Sequence, residues 1–229
     1  MLAISAHWET AAPVVGGAAS PATIHDFGGF PEALFRIRYP APGAPWLALR
    51  VRELLAAGGL DGAIDAGHGL DHGAWVPLRE MYPGADVPVA QLSIQSHLGP
   101  DHHLRLGRAL AALKDEDVLV VASGSLTHNL LDWRPDAGED APVAGYVADF
   151  QSWMHETLLS GDTAALVDYR RRAPGATRAH PTDEHLLPLF VAVGAGGDGA
   201  VVQRRHAAIV EGALAMDLYT FAKDATAHA

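Results

Sequence analysis

The 229-residue sequence contains no cysteine. That excludes disulfides, thiolate metal sites and thiol nucleophiles, so any metal has to be held by histidine, carboxylate, backbone or water. The sequence also lacks an apolar run near the ~20 residues that span a bilayer. It lacks the basic segment followed by an apolar core that marks a secretory leader. A cytoplasmic location is the resulting expectation. Positive charge is scarce: 16 Lys plus Arg stand against 27 Asp plus Glu, for a formal net charge of −11. That balance argues against nucleic acid or an anionic membrane surface as a partner. No internal repeat, low-complexity tract or composition break divides the chain. A single domain over residues 1–229 is therefore expected.

What is abundant is histidine, with 13 residues. Four of them sit in short motifs spread along the chain: Ser5-Ala6-His7-Trp8, Gly69-Leu70-Asp71-His72-Gly73-Ala74-Trp75, Ser123-Gly124-Ser125-Leu126-Thr127-His128-Asn129-Leu130 and His180-Pro181-Thr182-Asp183-Glu184-His185. Imidazole is the commonest protein metal ligand and a general base tuned near neutral pH. Each motif places its histidine beside small or turn-forming residues, at the expected end of a strand or in a loop. An α/β fold gathers its functional groups at such positions.

Periodicity supplies the frame. Met1–Ala6 reads as the end of a buried strand with His7 just past it, and residues 13–31 read as loop. Pro45–Ala57 reads as a helix, with Pro45 in its first turn and Gly58-Gly59 as its stop. Ala63–Ala66 suits a short strand, Gly67–Trp75 a loop, and Val76–Met81 one or two helical turns. Val87–Ile94 alternates as a strand does. Leu104, Leu106, Ala109, Leu110 and Leu113 mark a helix over Pro100–Lys114. Val118–Ala122 is a continuous apolar run, typical of a strand buried on both faces. Helices are expected over 144–159, 162–171 and 185–193, and a final strand over 209–221. The alternation predicts an α/β fold with a central, mostly parallel or mixed sheet and helices on both faces.

Seven segments in order resemble one family: Ser-Ala-His-Trp, the Thr23–Pro31 stretch, Gly-Leu-Asp-His-Gly-Ala-Trp, Met81-Tyr82-Pro83, Gln91-Leu92-Ser93, Ser-Gly-Ser-Leu-Thr-His-Asn-Leu and His-Pro-Thr-Asp-Glu-His-Leu-Leu-Pro-Leu. They are similar to the DOPA-dioxygenase-like branch of the class III extradiol ring-cleaving dioxygenases. The resemblance implies one non-haem metal, Fe(II) for ring cleavage and often Zn(II) in the purified protein. It implies a catechol substrate, such as DOPA or a related ortho-diphenol, opened beside its two hydroxyls with both atoms of O2 inserted. It makes His7 and His185 metal ligands, His128 an acid/base that does not bind the metal, and His72 and His180 the lining of the catechol pocket.

The chemistry of these residue types agrees. Imidazole suits Fe and Zn. A histidine not bound to metal can take a phenolic proton and return one later. Other readings of the same residues stand beside these. His7 next to Trp8 could be a core histidine, and His185 could cap the helix that follows. His72 and His180 could stabilise turns. Asp71 and Asp183 could orient neighbouring imidazoles or only satisfy loop amides. Phe27 and Trp75 read as packing residues, and His25 as either facing the site or structural. His68, His97, His102, His103, His155, His206 and His228 read as solvated or structural.

One element of the family pattern is missing from the sequence. The pattern has a further metal-binding histidine in a Gly/Ser-His-Gly-Ser-Pro motif ahead of Ser-Ala-His-Trp. Here the nearest string is Gly67-His68-Gly69, which is out of order. Weak or incomplete metal binding is therefore expected, with water or a neighbour such as His25 in the third position. Two readings from other classes follow: a catalytically impaired metal- or ligand-binding homologue, and a zinc-dependent hydrolase acting through zinc-bound water.

Overall fold

The computed structural model describes residues 1–138 and 141–222, so His228 lies outside the described residues. Its centre is a five-stranded sheet in the order β3-β2-β4-β1-β5. β1 (Leu2–Glu9) runs parallel to both β4 (Ala90–Ile94) and β5 (Val120–Ser123), with Leu2 level with Ala90 on one side and Val120 on the other. β2 (Val14–Gly16) runs parallel to β3 (Ala63–Asp65) and antiparallel to β4. The sheet is mixed and mostly parallel.

Alternation along β1 divides the interior in two, because successive side chains of a strand point to opposite faces. Leu2 and Ile4 enter a large core with Leu92, Leu47, Val51, Leu55, Leu104, Phe190 and Val191. Leu92 comes from β4, and the others from the helices Pro45–Ala57, Gly99–Ala109 and Leu187–Gly196. Met1 and Ala3 enter a smaller core with Trp75 and Leu78 from the helix His72–Met81. Helices thus cover both faces, as the periodicity predicts. Ser5 and His7 continue the parity of Met1 and Ala3, toward the His72 helix.

The Pro45–Ala57 helix has the expected bounds, and the helix read over 144–159 is found at Gly145–Ser160. Other expectations need correction. The segment read as loop over 13–31 contains β2, whose three residues give too short a signal among Gly, Pro and Ala. The helix read from Val76 begins four residues earlier, at His72, because the Asp71 carboxylate caps it by accepting the Ala74 N–H at 3.1 Å. The segment 162–171 breaks into Thr163–Val167 and Tyr169–Arg172. β5 was expected to be buried on both faces, but it is a half-buried edge strand. The single strand expected over 209–221 is three short ones, β7 (Ile209–Val210), β8 (Leu214–Ala215) and β9 (Leu218–Ala222). Left-handed residues Glu211 and Gly212, at φ 50° and 70°, reverse the chain between β7 and β8. β9 pairs instead with β6 (Val201–His206), which the sequence reading missed. Among the described residues no helix is long and apolar enough to cross a membrane.

Candidate active site

His7 lies inside β1 rather than beyond it. The ladder with β4 is regular from Leu2 to Ile4 and then shifts, so that Glu9 comes level with Ile94. The extra residues between Ile4 and Glu9 form an irregularity of the bulge type, which re-aims side chains and ends regular pairing. Ser5 Oγ accepts the His7 N–H at 3.1 Å and holds the distorted segment.

His72 is brought to His7 from the opposite side. Its helix starts where Asp71 caps it, and Asp71, 3% exposed, also accepts a hydrogen bond from Gln91 Nε2. Gly73 allows the approach. A Cβ built there would lie 2.2 Å from Ser5 Oγ and 3.0 Å from His7 Cδ2. The His7 and His72 ring centroids are 3.9 Å apart. Asp26 accepts from both the His72 backbone N–H and the His72 Nδ1–H, each at 2.9 Å. It lies 3.7 Å from His7 Nδ1, beyond hydrogen-bonding reach.

His128 and His185 complete the group from the β5 edge of the sheet. His128 follows β5 and His185 precedes the Leu187–Gly196 helix. Their rings stack at 3.4 Å with 10° between planes, and His185 meets His7 edge-on at 5.0 Å. The loops that carry them are locked together: the Ser125 N–H donates to the His185 carbonyl at 2.9 Å, and the His128 N–H donates to Ala179 at 2.9 Å. Gly124 makes this contact possible, since a Cβ there would fall 2.1 Å from the His185 carbonyl oxygen. Glu184 Oε1 accepts from His185 Nδ1 at 3.0 Å and from Thr182 Oγ1 at 2.9 Å. A carboxylate on Nδ1 fixes the ring as the Nδ1–H tautomer and leaves Nε2 free as a lone-pair donor.

His180 lies beneath this layer, not on its open face. It is 0% exposed, and its Nε2–H donates to the Leu126 carbonyl at 2.8 Å, two residues before His128. Its buried Nδ1 has no partner among the described residues. From this position His180 supports the His128 loop. His25, a candidate third ligand, is also turned elsewhere: its Nε2 donates to the Ile37 carbonyl at 3.0 Å, among Phe27, Phe35 and Trp75. The residues beside His7 are Asp26 and His72 instead. Asp183, read as a possible orienter of imidazole, binds Tyr169 and Arg170.

Burial and mutual proximity lower the pKa of His7, His128 and His180. Desolvation, joined by the charges His72 and His185 would carry, lowers the His7 pKa. Burial and then His185 push His128 down to about 4, and burial does the same to His180. Burial alone would raise Asp26 and Glu184. The N–H donors around each outweigh it and hold both carboxyls below their ordinary values, so both are ionised at neutral pH. Imidazoles and ionised carboxylates together form a donor set that suits a divalent transition metal. Two groups have ligand atoms within 4.8 Å of one another: His7 with Asp26 and His72, and His128 with Glu184 and His185. An apolar cavity of about 560 Å³ runs along β5 and is lined by His185 but not by His7, His72 or His128.

Residues 1–216 match the family described as the catalytic LigB subunit of aromatic ring-opening dioxygenases. The chain belongs to this family. It is 46% identical over 222 residues to the 4,5-DOPA dioxygenase extradiol of Beta vulgaris, covering 96% of this chain and 82% of that one. It is 42% identical over 201 residues to the 4,5-DOPA dioxygenase extradiol of Escherichia coli K12, covering 85% and 72%. The crystal structure of an uncharacterized Escherichia coli K12 protein superposes with a TM-score of 0.80 at 35% identity, over 95% of this chain and 84% of that one. As a LigB-family member the protein is an extradiol ring-opening dioxygenase, and the readings as an impaired homologue or a hydrolase are not favoured. The family is non-haem and metal-dependent, and the donor set of this site fits that requirement.

Two residues that bear on the LigB site escaped the sequence reading, Asp26 and Glu184. Both lie inside motifs quoted for the resemblance. Glu184 is adjacent to His185, whereas Asp26 is brought to His72 by tertiary structure, through the bridge that sets Thr23 against Leu70.

Proposed function

We propose that this protein cleaves the ring of a DOPA-like ortho-diphenol, with His7 and His185 holding Fe(II) and His128 serving as acid and base. Zn(II) would occupy the same donors in protein purified without iron. The observation that carries the reading is the convergence of rings from four motifs: His72 to His7 at 3.9 Å, His7 to His185 at 5.0 Å and His185 to His128 at 3.4 Å.

When bound, the metal acts as a Lewis acid and template for the catechol oxygens and for O2. The remaining steps belong to side chains. Glu184 holds His185 with Nε2 presented for ligation. His128, neutral at pH 7, takes a proton from a catechol hydroxyl and later returns one to an oxygen of the opening ring. Its low pKa makes the neutral form dominant before substrate binds. His72 lines the catechol side of the cluster. His180 holds the Leu126 carbonyl and so keeps the His128 loop against His185.

The test is anaerobic loading with Fe(II), addition of DOPA or catechol, and admission of air. Consumption of O2 with formation of a yellow ring-opened product is the expected result. Metal uptake without O2 consumption for any ortho-diphenol would refute the reading.

A further inference from the structure

Asp26 grips His72 at two points. Oδ1 accepts the His72 backbone N–H and Oδ2 faces His72 Nδ1, both at 2.9 Å. The segment that carries Asp26 is itself anchored: the Ile24 N–H donates to Leu70 at 2.8 Å, the Leu70 N–H to Ala22 at 2.8 Å, and Trp75 Nε1–H to the Ile24 carbonyl at 2.8 Å. The carboxylate is therefore fixed to the same helix start that it grips.

For the neutral ring, the chemistry of this contact leaves one tautomer. An ionised carboxylate only accepts hydrogen bonds, so the nitrogen facing it must carry the proton. Neutral His72 is then the Nδ1–H tautomer, with a lone pair on Nε2. The ring sits 3.9 Å from His7 and edge-on to Phe27 at 5.5 Å. A neutral imidazole held this way is an acceptor for a hydroxyl hydrogen. The other tautomer would present a donor instead and repel that hydrogen.

We propose that Asp26 is a positioning residue for ring cleavage, fixing His72 so that Nε2 accepts a hydrogen bond from a hydroxyl of the ortho-diphenol. This rests on the catechol reading above. The role differs from that of Glu184, which orients a ligand; Asp26 orients a ring that receives the substrate.

Asp26→Asn is the decisive change. In asparagine one of the two terminal atoms is an NH2 donor, so the side chain cannot accept at both positions that now receive the backbone N–H and Nδ1–H. In the full chain labelled with ¹⁵N, long-range nitrogen–proton correlation reads the His72 tautomer directly. The expected results are Nδ1–H in the parent protein and loss of that preference in Asp26→Asn. Turnover should fall about 10–100-fold, as when a partner that orients a catalytic imidazole is lost, with metal content per chain unchanged. Asp26→Ser, which can still accept the backbone N–H, should show the same loss of tautomer preference with the helix start preserved. In a His72→Gln background, Asp26→Asn should cost nothing further, because a residue that acts only through another is silent once that other is gone.

Several outcomes would overturn the proposal. These are Nε2–H at His72 in the parent protein, losses that add in the double variant, or loss of metal in Asp26→Asn, which would make Asp26 a ligand. The tautomer measurement needs no turnover. Failure of ring cleavage with Nδ1–H intact would therefore strike the catechol reading, and the substrate contact with it, and would be distinguishable from failure of the Asp26–His72 pairing.

Discussion

Gly73→Ala sets two effects against each other, and the geometry decides between them. Gly73 is the second residue of the His72–Met81 helix, where alanine favours the helix by about 0.8–1 kcal/mol over glycine. By propensity alone the substitution stabilises the protein. The new methyl, however, would lie 2.2 Å from Ser5 Oγ, 3.0 Å from His7 Cδ2 and 3.2 Å from Ser5 Cβ. These are side-chain atoms with little room to yield: Ser5 Cβ sits directly on the backbone, and Ser5 Oγ is held by the His7 N–H. Overpacking of this kind costs typically about 1–3 kcal/mol. The net expectation is a loss of roughly 0–2 kcal/mol. The larger effect falls on function, because the atoms that must move include His7 and the hydroxyl that holds its backbone. Displacing a positioned group by about 1 Å can cost on the order of 10²-fold in rate. Urea melts with O2-uptake kinetics on the iron-loaded protein would separate the two. Adding Ser5→Ala to Gly73→Ala removes the closest atom and should recover part of both losses. Unchanged turnover in Gly73→Ala would show that the contact between these two segments does not set the position of His7.

Gly124→Ala would place a Cβ 2.1 Å from the His185 carbonyl oxygen; it should push that carbonyl away and lower metal occupancy, measured by elemental analysis, with a smaller effect on melting temperature. His7→Ala and His185→Ala should each abolish tight metal binding; retained metal in both would refute their assignment as ligands. His128→Ala should keep the metal and lose about 10²–10⁴ in turnover. His103 supplies an acid-stability test away from the site. It is 0% exposed, donates from Nδ1 to Gly99 at 2.6 Å and accepts the Gln95 N–H at Nε2, and burial lowers its pKa to about 4. The unfolded chain binds this proton near the ordinary histidine value of about 6.5. The unfolded state is thus the more protonated one between pH 6.5 and 4, so stability falls as pH drops through that window, by up to roughly 3 kcal/mol from this group. Denaturant titrations of parent and His103→Gln across that range should show a shallower pH slope in the variant.

The features that the sequence shows best are those with a local cause. The Pro45–Ala57 helix has its proline start, its glycine stop and an apolar stripe at Leu47, Val51 and Leu55. The histidines of the cluster were legible because each sits in a motif. What escaped depended on distant partners. The composition of Val118–Ala122 could not tell an edge strand from a central one, since an apolar run records burial tendency and not the number of neighbouring strands. The start of the helix at His72 hung on a single carboxylate cap. Asp26 and Glu184 look like ordinary loop acids in sequence and gain meaning only when a bridge or a turn sets them against a ring nitrogen. His180 shows the converse, a motif histidine that the fold draws below the open face, where it supports a loop.

The position of β1 bears on the order in which the protein is made. This strand is the inner member of the parallel trio, and Leu2 finds its partners at Ala90 and Val120. A ribosome adding about 5–20 residues per second therefore holds an unpaired, strongly apolar strand for on the order of ten seconds before its second neighbour emerges. The bulge that aims His7 cannot be set until β4 is in place, and its meeting with His185 waits for most of the chain. Completion of the histidine cluster is in this sense a late event of biosynthesis, and a nascent chain stalled before β5 would present its innermost strand to chaperones or to other chains.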